Sequence, residues 1–273
     1  MTAYPGEQTL AHLSDLHLGR RRADHLAARR LVEQLLVEGI GHVVVTGDLT
    51  AHGRQAEWED FRALFAPLER TGRLTLVPGN HDRGTDDAAS QMMKGERVRV
   101  RQRPGLYLVR VDSTAPHNRA PFRSHGEVCA ATLAAVDQAL GEAPPGSLVG
   151  LLLHHHLTRL PVEGLGEWFA DTIGWPHASE LKLGHRLLEL ALGRCDLVLH
   201  GHRHVPRHFE AIAPNGRTLD VHNAGSSTEL QACRVFRHAG GRLLAPPRWV
   251  HLSPRPSRWT SAAPVPLAAL SRP

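Results

Sequence analysis

Five short apolar runs in this 273-residue chain each break off into a cluster of aspartate, asparagine or histidine, and this repeated event constrains the fold more than any other feature. TLAHLS ends in Asp15-Leu16-His17, HVVVT in Gly47-Asp48, LTLVP in Gly79-Asn80-His81-Asp82, LVGLLL in His154-His155-His156, and LVLH in Gly201-His202-Arg203-His204. A short apolar run bounded by turn residues is the pattern of a strand buried on both faces. In α/β sheets built from such strands, ligands sit outside the carboxyl ends. Five such ends would converge on one rim.

The spacing between the runs agrees. Thr9 to Leu13, His42 to Thr46 and Arg73 to Val77 read as strands, separated by helical spacing over Ala23 to Glu38 and Gln55 to Leu68. This βαβαβ start predicts a parallel sheet with right-handed crossovers. From Arg83 to Arg103 the pattern weakens into a polar, arginine-bearing loop region. Within it Arg97, Arg99, Arg101 and Arg103 alternate with Val98, Val100 and Gln102 as on a solvated strand edge. A strand at Leu106 to Val111, a helix at Glu127 to Leu140 and a strand at Leu148 to Leu153 follow. After a looped segment, Leu157 to Pro176, come a helix near Ala178 to Leu192 and a strand at Asp196 to Leu199.

Pro214-Asn215-Gly216 then marks a hairpin between Arg207 to Ala213 and Arg217 to Val221, with further strands at Ala232 to Arg237 and Arg242 to Ala245. Residues 1–253 are expected to form a single domain. Residues 254–273, with prolines at 254, 256, 264, 266 and 273, read as a tail or a strap over the body.

Composition narrows the chemistry. Lys94 and Lys182 are the only lysines, so the net charge of +5 is carried by arginine, which suits phosphate and carboxylate. Spread along the chain it is too dilute to imply nucleic acid, and a small anionic substrate fits better. Cys129, Cys195 and Cys233 are far apart without a C-x-x-C pair, and read as small buried apolar residues rather than a disulfide frame or a thiolate zinc site. No window approaches eighteen apolar residues and the N-terminus lacks a signal-peptide pattern, so a cytoplasmic protein without a membrane span is expected.

The rim gathers carboxylates, imidazoles and one amide. That donor set suits manganese, iron, zinc or nickel better than magnesium or calcium. At an extended strand end, residues i and i+2 point the same way, so Asp15 and His17 can share an ion, as can His202 and His204. Asp48, alone after its glycine, can bridge two ions. His154 and His156 share a face from which His155 is turned away, and His200 has the parity of His202 and His204, as ligand or as hydrogen-bond donor. Trp168, Phe169 and Trp175 either stack on a base or anchor their loop; Arg20, Arg21 and Arg22 either face the cleft or approach a helix.

The order D-x-H, G-D, G-N-H-D, H-H, G-H-x-H, with the phrases HLSDLHLG, VVVTGDLT and LVPGNHD, resembles the calcineurin-like metallophosphoesterase family from Leu10 to His204. A weaker continuation runs through Asn223 to Ser227. In length and wording the chain is most similar to the family's bacterial cyclic-nucleotide phosphodiesterases. The resemblance implies an α/β fold, a four-layer α-β-β-α sandwich of two mixed sheets flanked by helices, with a dinuclear metal site at the carboxyl ends of the strands. Asp15, His17, Asp48 and His204 would hold the first ion and Asp48, Asn80, His154 and His202 the second. Two divalent or mixed-valence transition-metal ions, manganese, iron or zinc, are implied.

By the same resemblance a metal-bridging hydroxide attacks a phosphodiester in line. His81 would stand beside the leaving oxygen as an acid, with Asp82 orienting its ring. The proline usual after the histidine pair is His156 here. A small nucleotide-type phosphoester such as a 3′,5′-cyclic nucleotide is the expected substrate, with no nucleic-acid partner and with homo-oligomers allowed. Alternatives are a UDP-2,3-diacylglucosamine-type pyrophosphate hydrolase, a glycerophosphodiesterase, or a metal-free binding scaffold. The few large apolar residues in Arg83 to Arg103 weigh against an acyl-binding lid. Of the twenty histidines, twelve, among them His25, His117 and His251, carry no motif and are expected at the surface or in packing.

Overall fold

Parallel pairing begins at the first strand of the computed structural model, which describes residues 6–120, 123–157 and 181–252. β1 (Gln8–Leu13), β2 (His42–Thr46) and β3 (Leu74–Val77) pair in parallel, Leu10 opposite His42 and Val43 opposite Leu74. α1 (Arg22–Val37) and α2 (Gln55–Arg70) connect them. α1 buries Ala27, Ala28, Leu31, Val32 and Leu35, and α2 buries Trp58, Phe61, Phe65 and Leu68, the stripes that a 3.6-residue period turns to one side. α3 (Ala89–Met92) follows.

The second sheet holds β4 (Val98–Arg103), β5 (Leu106–Val111), β6 (Leu148–Leu152), β7 (Leu197–His200), β8 (Arg207–Ile212) and β9 (Thr218–Asn223), in the order β4-β5-β6-β7-β9-β8. Its four central strands are parallel and both edges antiparallel. α4 (Ala130–Gly141) and α5 (Gly184–Ala191) cover its outer face, packed on Val109, Val149 and Val198. After α6 (Ser227–Leu230), β10 (Ala232–Ala239) returns antiparallel to β1 in the first sheet, where β11 (Arg242–Leu243) and β12 (Arg248–His251) pair with it.

Three apolar layers result. One joins α1 and α2 to the first sheet, one joins α4 and α5 to the second, and Leu10, Val44, Val77, Leu108, Leu152, Leu199 and Phe236 fill the space between the sheets. The architecture is the four-layer sandwich of two mixed sheets flanked by helices.

Several expectations change. The region from Arg83 to Arg103 contains the tail of a 3₁₀ turn (His81–Arg83), α3 and the edge strand β4. α3 is one turn long, too short for a period to show. β4 is an edge, but its arginines are braces: Arg97 donates to the carbonyls of Thr114 (2.6 Å) and Glu127 (3.1 Å), and Arg101 to that of Gly72 (2.7 Å). α4 begins at Ala130 rather than Glu127, because Glu127 is drawn into a bridge with Lys182. Cys195 and Cys233 are buried, but Cys129 is exposed at the head of α4. β12 lacks a sequence signal strong enough to anticipate, and α6 is announced only by the S-x-x-E spacing that starts at Ser226. The proline-rich tail lies outside the described residues. Among those described, no helix is long and apolar enough to cross a membrane.

Four motif-free histidines, His12, His42, His222 and His238, are buried in the layer between the sheets. His12 Nε2 bonds Thr46 Oγ1 (2.9 Å), His42 Nε2 bonds Thr75 Oγ1 (2.7 Å), and His222 meets Phe236 edge to face. Burial lowers the pKa of all four, that of His42 to about 3. The rings are therefore neutral in the fold but titrate near 6.5 when unfolded, so the unfolded chain binds more protons below that pH and stability falls as pH falls.

Well below pH 6.5 each ring that stays neutral costs up to about 1.4 kcal/mol per pH unit, so the four together cost up to about 5.6, against a total stability of about 5–15 kcal/mol. Denaturation midpoints measured in chelator should therefore drop steeply between pH 6.5 and 5.5. His42→Gln should remove about one proton from that slope. A midpoint flat across the window would mean that the rings are protonated in the fold.

Candidate metal centre

The rim is assembled from backbone that most residues avoid. Asp15, His17, Asp48 and His202 have φ of +53°, +47°, +50° and +72°, four of the eight left-handed non-glycine residues among those described. Such a conformation costs of order 1–3 kcal/mol and persists only where the surroundings enforce it. Here they do: beyond the strand ends, Asp15 N–H donates to Gly47 O, His17 N–H to Asp48 O and Leu18 N–H to Leu49 O, each at 3.0 Å, so the first two loops continue the parallel pairing. Glycine is required beside the ligands. A Cβ on Gly79 would lie 2.2 Å from Asp48 Oδ1, and one on Gly201 2.4 Å from Asp15 Oδ2.

The structure brings all seven predicted ligand residues together. His17 Nε2 lies 3.1 Å from His204 Nε2, and Asp15 Oδ1 lies 4.0 and 3.7 Å from those nitrogens. Asp48 Oδ1 accepts from His81 N–H (2.9 Å), which leaves Oδ2 facing His17 Nε2 (3.8 Å) on one side and His154 Nε2 (3.4 Å) on the other. Asn80 Oδ1 completes the second side, 3.1 Å from His154 Nε2 and 3.0 Å from His202 Nδ1. His154 Nδ1 donates to Thr46 O (2.7 Å) and so turns Nε2 inward.

These residues fit a pair of cations. Asp15 Oδ1 is buried with no hydrogen-bond partner, an arrangement that calls for an ion in its place. Around it converge imidazole nitrogens and carboxylate oxygens, the donor set of a mixed N/O site. Burial lowers the pKa of His17 to about 3 and that of His202 well below its ordinary value, which keeps both rings in the neutral, ligating form. His154 differs: burial lowers its pKa, but Asp48 beside it prevails and raises the value to about 9. Without metal this ring holds a proton that an ion must displace.

His81 is exposed and stands at 88° to the His17 ring, centroids 4.8 Å apart. Asp48 raises its pKa against the opposing effect of burial. The bond that orients its ring corrects the expectation for Asp82: His81 Nδ1 donates to Ala51 O (2.8 Å). Asp82 instead accepts from the backbone N–H of Leu49 (3.3 Å), Thr50 (2.9 Å) and Gly79 (2.8 Å) and from the Thr50 hydroxyl (2.7 Å). Its carboxylate ties the second loop to the third.

The neighbouring histidines separate by their bonds. His155 Nε2 donates to Ser124 O (2.8 Å) and Nδ1 accepts from Ser113 Oγ (2.8 Å), so both nitrogens are used. His156 is buried and stacked on His202, centroids 5.7 Å apart, with neither ring nitrogen hydrogen-bonded. His200 Nδ1 donates to Gly201 O (3.2 Å). Arg20 and Arg21 approach the helix, bonding Asp24 and Glu229. Trp168, Phe169 and Trp175 lie outside the described residues.

Sequence reasoning missed Glu229, whose Oε2 lies 3.3 Å from His204 Nδ1 and steadies that ring. The signal was present in Ser226-Ser227-Thr228-Glu229, the S-x-x-E spacing of a helix start. Ser226 Oγ also donates to Asp15 O (2.8 Å), and Ser227 N–H to Ser14 O (3.0 Å), which explains why Asn223 to Ser227 continues the motif series.

A two-sheet sandwich with such a donor set at its strand ends is built to hold a pair of metal ions. The chain belongs to the calcineurin-like phosphoesterase family, whose profile matches residues 8–206. No curated protein matches it. Among solved structures it is similar to a dimetal phosphatase from Danio rerio, with a TM-score of 0.59 and 13% identity over 90% of this chain and 99% of that one. It is also similar to a purple acid phosphatase from yellow lupin (Lupinus luteus) seeds, with a TM-score of 0.57 and 14% identity over 93% of this chain and 47% of that one. A 5′-nucleotidase precursor from Thermus thermophilus gives a TM-score of 0.52 and 16% identity over 89% and 54%. At these identities the three share the fold.

Because His154 must lose its proton, calorimetric titration of the metal-free protein with Mn²⁺ at pH 7.5, in buffers of different ionisation enthalpy, should show about one proton released per chain. Affinity should weaken as pH falls. Asp48→Asn should weaken loading by more than about 100-fold, beyond the effect of losing an outer partner. Loading without proton release would contradict the His154–Asp48 pairing.

Proposed function

We propose that this chain hydrolyses phosphodiesters and acts on a small nucleotide-type ester such as a 3′,5′-cyclic nucleotide. Asp15, His17, Asp48 and His204 would hold one ion, and Asp48, Asn80, His154 and His202 the other, the ions being manganese, iron or zinc. When bound, such a pair supplies an activated water near neutral pH and neutralises charge on phosphoryl oxygens.

The observation that carries the diester reading is the commitment of Arg20 and Arg83 to carboxylates. Near pH 7 a monoester arrives largely as a dianion and a diester as a monoanion, so a monoester asks for more protein cations. Arg20 is held by Asp24 (3.1 Å) and Glu229 (2.7 Å), and Arg83 by Asp87 (3.0 Å), Asp112 and the Thr114 hydroxyl (2.7 Å). Among the described residues His81 is an exposed basic group beside the ligand atoms. With Nδ1 bound to Ala51, its Nε2 would hold a proton for the departing oxygen. The large side chains of the segment after His81 favour a nucleotide over a diacylated substrate, because Met92 and Met93 are buried in the core and offer no acyl lid.

Assayed with Mn²⁺, bis(p-nitrophenyl) phosphate should exceed p-nitrophenyl phosphate in kcat/KM by about tenfold or more, one tenfold step corresponding to about 1.4 kcal/mol. Cyclic nucleotides should be cleaved faster than glycerophosphodiesters or UDP-diacylglucosamine. A monoester preference would sink the reading. His81→Ala should lower kcat by about 10²- to 10⁴-fold, the range of a general acid, while two ions remain bound by metal analysis.

A further inference from the structure

A second set of metal-binding side chains lies away from the rim, on the antiparallel edge of the second sheet. His208 on β8 stands opposite His222 on β9, and Asp220 precedes His222 by two residues, on the same face. One ligand atom from each lies within 4.8 Å of the other two. His208 Nε2 is 3.2 Å from Asp220 Oδ1, close to the ~3.4 Å expected between two ligands of a tetrahedral ion with bonds of ~2.0–2.1 Å.

His222 supplies the independent observation. It is 1% exposed, and neither ring nitrogen has a hydrogen-bond partner. A neutral imidazole carries one donor and one acceptor, and leaving either unmade in a buried site costs about 1–3 kcal/mol. Packing alone does not require this, since an aliphatic residue could fill the same layer. The His208 and His222 rings lie nearly parallel, 13° apart with centroids at 4.3 Å. Bringing both lone pairs onto one ion requires one ring to turn about its Cβ–Cγ bond. His208, 23% exposed, is free to do so.

We propose that His208, Asp220 and His222 form a third metal site, a zinc site separate from the dinuclear centre. Two imidazoles and a carboxylate without thiolate are a zinc donor set, and the partly exposed edge leaves the fourth position to water. The ion would staple β8 to β9.

The test is zinc stoichiometry in the full-length protein. After loading with Zn²⁺ and desalting, the wild type should retain three zinc ions per chain, with an anomalous-diffraction peak between the three side chains at the zinc edge. His208→Gln and Asp220→Asn should each retain two, with folded circular-dichroism spectra and unchanged bis(p-nitrophenyl) phosphate turnover. Asp48→Asn should keep the peak at the strand pair while losing zinc from the rim, which separates this site from the dinuclear one. Two ions in the wild type with no peak at the strand pair would overturn the proposal, as would three ions in both edge variants.

Discussion

The placement of one carboxylate organises the rim. Asp48 sits at the end of the central strand of β1-β2-β3, in left-handed backbone, with one oxygen held by His81 N–H and the other between His17 and His154. Asp15, His17, Asp48 and Asn80 follow strands of the first sheet, whereas His154, His202 and His204 follow strands of the second. The shared oxygen is therefore where the two sheets meet chemically, and the apolar layer beneath them fixes how far apart the two half-sites stand. Strain in the loops is tolerated because the pairing of Asp15 with Gly47 and of His17 with Asp48 leaves the chain no alternative path.

The rim and the side chains that converge on it were legible in the sequence because strand ends in a parallel sheet are local events. An apolar run, a glycine and a polar cluster can be read within ten residues, and β2 and β5 have the bounds that their apolar runs predict. The illegible parts were those decided by distant partners. Nothing near Asp82 in the chain announces that it will bind Leu49 and Thr50 rather than the ring beside it; that follows from the third loop folding under the second. Arg97 and Arg101 alternate as solvated residues would, yet carbonyls of Thr114 and Gly72 capture them. Glu229 reaches His204 only after β9 has crossed back to the rim.

The histidine excess likewise becomes intelligible only in three dimensions. His12 and His42 alternate with Leu10 and Val44 along their strands, positions that in a sandwich face the opposing sheet. Their threonine partners come from neighbouring strands about 33 residues away, so the sequence shows the histidine but not what satisfies it. Imidazole lines the rim of this molecule and, at His12 and His42, fills the interior as a hydrogen-bonding group.

The wide separation of the ligands along the chain has a kinetic consequence. They run from residue 15 to residue 204 and are drawn from both sheets, so no short segment holds enough of them to capture an ion. Contacts of such long sequence separation form late, after the entropy of closing long loops has been overcome. The unfolded chain offers the ions only short local groups, such as Asp15 with His17 and His202 with His204, each short of a full ligand set. A full set of donors therefore exists only once both sheets have closed, the reverse of the order in small domains whose metal nucleates the fold.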